Sequence, residues 1–221
     1  MKRNKNKITV AIDSPAAAGA GTQAKLIAKE YNLFYLDTGK IYRHIGYLTL
    51  KRKNINYTKI KYNISKLKII DLKKKKLLTD KVARSASIIA KDKKIRDIVK
   101  NFQLKCAYYP PSKFNGSILD GRDITSVLMK NAMFKFYITA SLETRAKRRY
   151  LEYKKLKKKI SFKNVLKSLK NRDKLDKNRK FSPLVKTKDS ILINTTKLSK
   201  KACFEKIKAI MDKKLNFNGN I

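Results

Sequence analysis

ITVAIDSPAAAGAGTQAKLIAKEYNLFYL, residues 8–36, is the stretch that decides the fold. ITVAI (8–12) is a short apolar run rich in β-branched residues, the composition of a buried parallel strand. Pro15 and Gly19 then break the pattern. TQAKLIAKEY (22–31) has helical spacing, with Ala24, Ile27, Ala28 and Tyr31 on one face. LFYL (33–36) reads as a second strand. Strand, glycine-bearing loop, helix and strand together open a doubly wound α/β fold.

The loop itself, DSPAAAGAGT (13–22), approaches the phosphate-binding pattern G-x-x-x-x-G-K-[ST]. Such a loop surrounds phosphates with backbone N–H groups at a helix N-terminus. Gly19, Gly21 and Thr22 are in place, but Ser14 stands at the first glycine and Ala20 at the lysine. Taken alone, the stretch reads equally well as an ordinary strand-to-helix turn of small residues.

Further along, a helix is expected over 39–51. Residues 52–80 are rich in lysine and asparagine, with KKKK at 73–76, and read as a small, weakly ordered insertion outside the core. Helical spacing returns over 81–105 and stops before Pro110 and Pro111. SILD (117–120), FKFYIT (134–139) and SILIN (190–194) are strand candidates. Residues 142–180 form a long, highly charged helical stretch, and 198–214 a final helix.

At 221 residues and 42% hydrophobic content, the chain can form one domain with a full core. Its 57 Lys+Arg against 16 Asp+Glu give a net charge of +41. That charge alone points to a polyanionic partner. The lysines, however, are spread over nearly every segment, and arginines and aromatics are not gathered in one stripe. Nucleic acid is therefore not the expected main partner. Cys106 and Cys203 are far apart and form no C-x-x-C pair, so free thiols in a reducing cytoplasm are expected. The basic MKRNKNK precedes an apolar run too short for a signal peptide, and no stretch approaches a membrane span.

Acids are scarce, which makes their positions informative. Asp13, Asp37, Asp120 and Asp123 all fall at the carboxyl ends of expected strands, where open parallel sheets bind ligands. Arginines are a marked choice in so lysine-rich a chain, because the guanidinium fork binds phosphate bidentately. Arg43, Arg96, Arg122, Arg172 and Arg179 each sit beside a motif. Arg172, Asp176 and Arg179 are spaced to share one helical face.

The ordered set LDTGKIYR (36–43), DKVARSASIIAKDKKIR (80–96), LDGRD (119–123), TRAKRR (144–149) and RDKLDKNR (172–179) resembles bacterial cytidylate kinase, the CMP/dCMP kinase, over about residues 7–212. The resemblance implies an α/β fold: a P-loop NTPase-type parallel sheet with helices on both faces, a small monophosphate-binding insertion and a helical lid. It implies a single kinase domain, with the core over about 7–51, 106–150 and 185–214. The monophosphate-binding part spans about 52–105, and the lid about 151–184. It further implies transfer of the γ-phosphoryl group of ATP to CMP or dCMP by a cytoplasmic monomer.

Carried over residue by residue, Arg43 and Arg122 hold the acceptor phosphate, with Thr38 nearby. Ser87, Arg96 and Asp123 read the edge of the cytosine ring. Arg172 and Asp176 contact the ribose or the lid side of the nucleotide, and Arg179 reaches the phosphates as the lid closes. Arg122, Arg172 and Arg179 are the catalytic cations. Ser14, Pro15, Ala16, Ala17, Ala18, Gly19, Ala20, Gly21 and Thr22 hold the ATP phosphates, with Arg148 against the donor adenine. Mg²⁺ is held mainly by the phosphates of ATP, with Thr22 as a candidate ligand, and no protein metal centre is implied. The 52–80 segment shows no strand pattern where the family has a small β-rich subdomain.

Ala20 is the main departure. Loss of one preorganised charge-stabilising group costs ~10²–10³ in rate, so a slower enzyme that still binds CMP is expected. A lid arginine or Lys40 is the expected substitute, with Lys25 pointing away along the helix. Two alternatives stand beside this reading: a kinase for UMP or AMP, and a catalytically impaired relative that binds nucleotide or RNA.

Overall fold

The computed structural model describes residues 7–50 and 56–218. The basic N-terminal MKRNKN, the expected helix end at Lys51 and the start of the insertion at 52 lie outside the described residues. Five strands, β1 (Ile8–Asp13), β2 (Leu33–Asp37), β3 (Gly116–Gly121), β4 (Phe134–Thr139) and β5 (Ile191–Asn194), form one parallel sheet in the order β2-β3-β1-β4-β5. Each expected strand is present to within a residue or two.

Period-2 alternation along these strands separates two cores. Val10, Ile12, Ile118, Phe134, Phe136 and Ile138 face one side. There they pack against α1 (Ala20–Glu30) and α8 (Lys200–Asn218). Ala11, Leu119, Phe34 and Leu36 face the other side. That side is covered by α2 (Gly39–Leu50), α3 (Tyr57–Ser65), α4 (Asp80–Ile89) and α5 (Lys93–Tyr108). The strands are apolar on both faces because helices cover both. Among the described residues, no helix is long and apolar enough to cross a membrane.

The 142–180 stretch forms two helices, α6 (Leu142–Lys155) and α7 (Phe162–Lys177). They share a small apolar cluster, Ala146, Val165 and Leu169, that also takes in Ala16 of the loop after β1. Five of the described helices start on a side-chain cap: Asn56, Thr79, Asp92, Ser141 and Ser161 each accept from a backbone N–H of the first turn. α1 has neither a side-chain cap nor an acid in its first turn, so its N-terminal donors stay open to a ligand.

The described part of the 52–80 segment corrects the expectation of a weakly ordered insertion outside the core. It forms α3 and two short 3₁₀ turns, Ile69–Lys73 and Lys75–Leu78. Ile60, Ile64, Leu67 and Leu72 are buried in the core cluster under α2 and α5, and Leu77 is fully buried. The intervening lysines hid the periodicity, since each points to water while one apolar residue per turn reaches inward.

Candidate active site

The loop between β1 and α1 owes its path to two left-handed residues, Ala17 at φ 62° and Gly19 at φ 96°. The Gly19 carbonyl accepts from the N–H groups of Thr22 and Gln23, both at 3.1 Å, which starts α1. The loop carbonyls are held from behind. Arg145 Nη1 donates to Ala16 O at 3.2 Å, and Thr195 Oγ1 donates to Ala18 O at 3.0 Å. Arg148 joins this brace, donating to Thr195 Oγ1 at 2.8 Å and to Thr195 O at 2.7 Å. With the carbonyls engaged there, the helix N-terminus and loop line a cleft of about 370 Å³.

The carboxyl ends of the strands form the floor. Asp13 is fully buried and accepts from Ile124 N–H (2.7 Å), Thr125 N–H (2.8 Å) and Thr125 Oγ1 (2.6 Å). It therefore anchors a one-turn π-helix, Ile124–Leu128, that follows the DGRD segment. Burial pushes the Asp13 carboxyl up to about 6, against the pull of these donors. Asp37 and Asp120 lie side by side in register on β2 and β3. Burial, and then the Asp37 charge, hold the Asp120 carboxyl well above the usual carboxylate range. Thr38 Oγ1 donates to Asp120 O at 2.8 Å and fixes the turn into α2.

Arginines line the walls. Arg122 Nε donates to Asp176 Oδ2 at 2.8 Å, and Arg172 Nε lies 3.8 Å from the same oxygen. Burial, and then the neighbouring Arg122 charge, lower the Arg172 guanidinium to about 10. Arg96 pairs with Asp123, both buried, and donates to Ala90 O at 3.0 Å and Ser182 Oγ at 3.2 Å. Arg179 Nη2 lies 3.7 Å from Asp123, and its Nε donates to Ser182 O. Arg43 donates to Leu77 O at 2.9 Å, and Ser87 to Ala83 O at 3.1 Å.

All of the expected site residues line this cleft except Arg148, whose guanidinium braces the loop from behind. One expectation changes in detail. Arg172 and Asp176 share a face of α7, but that helix ends at Lys177, so Arg179 acts from the loop beyond its C-cap. A second expectation is corrected: Lys25 does not point away but lines the cleft, as does Lys40.

A family model described as cytidylate kinase matches residues 10–213. The chain belongs to the cytidylate kinase family. A relative named cytidylate kinase from Clostridium tetani is 37% identical over 93% of this chain and 94% of its own length. Another, from Fusobacterium nucleatum, is 40% identical over 88% of this chain and 92% of its own. A third, from Clostridium botulinum, is 36% identical over 92% and 97%. A crystal structure of an uncharacterized protein from Eubacterium ventriosum shares the fold at 19% identity and TM-score 0.54, covering 93% of this chain and 99% of that one.

Three residues of this cytidylate kinase chain were missed in the sequence. Arg145 is 5% exposed and grips both oxygens of Asp173, at 3.1 and 2.6 Å, as well as the loop. Arg149 lines the cleft on the same helix. The spacing Arg145, Arg148, Arg149 in TRAKRR was the available signal, since all three fall on one side of a helix. Ser182 gave no local signal. It matters only because the chain past α7 folds back onto Arg96.

Proposed function

We propose that this chain transfers the γ-phosphoryl group of ATP to CMP and dCMP, releasing ADP and the diphosphate. One observation carries the reading. Arg172 Nε and Arg179 Nη2 are buried in the cleft walls with no hydrogen-bond partner. Buried polar groups are nearly always paired, and guanidinium groups facing a phosphate-loop helix are satisfied by phosphate oxygens.

Phosphoryl transfer needs little covalent chemistry from a protein. It needs in-line positioning and cations around the moving group. Residues 14–22 hold the donor phosphates at the open N-terminus of α1, with Arg148 behind the loop on the adenine side. Arg43, Arg122 and Thr38 hold the acceptor phosphate. Arg172 and Arg179 close on the phosphates, and Asp176 orients both Arg122 and Arg172. Ser87, Arg96 and Asp123 offer donors and acceptors to the cytosine edge. Thr22, together with the phosphates of ATP, would hold Mg²⁺, which would supply further charge neutralisation.

We assign residues 56–105 to the monophosphate-binding part and 151–184 to a lid, within one cytoplasmic, monomeric kinase domain. The free thiols Cys106 and Cys203 suit a reducing compartment. The test is ADP release by the purified protein with ATP, Mg²⁺ and each of CMP, dCMP, UMP and AMP. Turnover with CMP and dCMP alone is expected. Folded protein that turns over none of them overturns the reading.

A further inference from the structure

Ala20 leaves the donor-phosphate site without the lysine of the loop pattern, and α1 carries a different lysine one turn on. Ala20 is 5% exposed and lines the cleft, but as an alanine it puts no cationic group into it. Lys25 is four residues beyond Gly21 and three beyond Thr22, which places it on their face of α1. That face is turned to the carboxyl ends of β2 and β3. A Cβ added at Gly21 would meet Asp120 Oδ2 at 3.2 Å and Tyr35 Oη at 3.4 Å. Helical side chains lean toward the N-terminus. A lysine here therefore reaches back along the first turn and into the cleft, which Lys25 lines together with Gly21 and Thr22. Its charge is felt at the Asp120 carboxyl, on the floor of that cleft.

We propose that Lys25 is a catalytic residue of this chain, supplying to the transferred phosphoryl group the positive charge that Ala20 cannot. The proposal rests on the kinase reading above and goes beyond it. In the transfer, a P–O bond forms to a phosphate oxygen of the acceptor as the bond to the β–γ bridging oxygen breaks. ADP leaves with that electron pair, and the Lys25 ammonium keeps its protons throughout. The glycine at 21 suits this arrangement: a Cβ there would crowd Asp120 Oδ2 and Tyr35 Oη at the floor of the site. The cation thus moves one helical turn along α1 but stays at the same end of the cleft.

The test uses Lys25→Ala, Lys25→Arg, Ala20→Lys and the double variant Lys25→Ala/Ala20→Lys, with Lys29→Ala on the same helix as control. Lys25→Ala should lower kcat with CMP ~100-fold and raise KM for ATP while KM for CMP holds. Lys25→Arg should keep most of the activity. In the double variant, the restored loop lysine should recover most of the loss, a rescue that a merely structural role would not show. Lys25→Ala within about threefold of wild type in both kcat and KM for ATP overturns the proposal. So does a Lys40→Ala variant, made alongside, that loses the activity while Lys25→Ala keeps it. If the wild type itself transfers no phosphoryl group, the kinase reading fails separately. The catalytic role of Lys25 then falls with it, and calorimetric titration with Mg·ATP tests its placement alone: weaker binding by Lys25→Ala but not Lys29→Ala keeps Lys25 at the donor phosphates, and equal binding overturns that too.

Discussion

Ala17 holds a left-handed conformation at φ 62° in the middle of the loop between β1 and α1. An L-residue with a Cβ pays roughly 1–2 kcal/mol for this region, and glycine does not. The loop keeps Ala17 there because its neighbours are fixed: Arg145 and Thr195 hold the carbonyls on either side. Ala17→Gly should therefore stabilise the protein by about 1 kcal/mol. Urea unfolding checks this as a higher midpoint at unchanged slope. A lower midpoint would mean that the Ala17 side chain contributes more through its packing against Ala146 and Val165 than it costs in strain. At the same scale, Ser14 and Ala20 show that the loop's backbone path needs neither the first glycine nor the lysine. Gly19 and the Arg145–Thr195 brace are enough to shape it.

At the scale of elements, the site depends on how α6 and α7 are tied to the sheet. Arg145 leaves the first turn of α6 and bonds Ala140 O at 3.0 Å, Ala16 O at 3.2 Å and both Asp173 oxygens on α7. One buried guanidinium thus joins the loop after β1 to α7. Removing one partner of a buried pair strands the other and costs about 3–5 kcal/mol. Arg145→Ala should destabilise the protein by about 3 kcal/mol. Asp173→Ala in the same chain should return part of that loss, because it removes the stranded carboxylate. A double-mutant cycle by thermal or urea unfolding reads the coupling directly. Strict additivity would show that the two helices dock independently of this contact. The 56–78 segment belongs to this scale as well: Arg43 donates to Leu77 O, so the turn after α3 orients a residue that lines the cleft.

Across the whole molecule, a net charge of +41 on 221 residues opposes compaction by self-repulsion. Local pairs relieve it in places. Lys208 bridges Glu30 at 3.2 Å and Asp212 at 2.8 Å. Sixteen acids cannot pair fifty-seven bases, so most of the charge faces solvent. Screening shortens the reach of such repulsion from about 10 Å at 0.1 M salt to about 3 Å at 1 M. Melting temperature should accordingly rise by about 3 °C or more between 50 and 500 mM NaCl. A flat or falling curve would show that the positive surface is already neutralised within the fold. The cleft keeps the same sign, with eight cationic side chains against five acids, but it is more evenly paired than the chain as a whole, so the surrounding surface does most of the drawing of anionic nucleotides.

The sequence by itself determined the five strands, the loop after the first of them, and the family. Each rests on local pattern: apolar runs bounded by glycine, proline and aspartate, and short motifs in fixed order. It also marked Arg43, Arg96, Arg122, Asp123, Arg172, Asp176 and Arg179, because arginine and aspartate are rare enough here to stand out. Tertiary structure decided what depends on direction and distance. The apolar face of 56–78 is masked by lysines until it meets α2 and α5. Arg145 and Ser182 act on segments more than eighty residues away in sequence, Ala16 and Arg96, so no local pattern could disclose them. Whether Lys25 points toward the phosphates or toward solvent depends on which side of α1 the sheet edge lies. That is set by the packing of the helix on β1 and β3, and no spacing rule contains it.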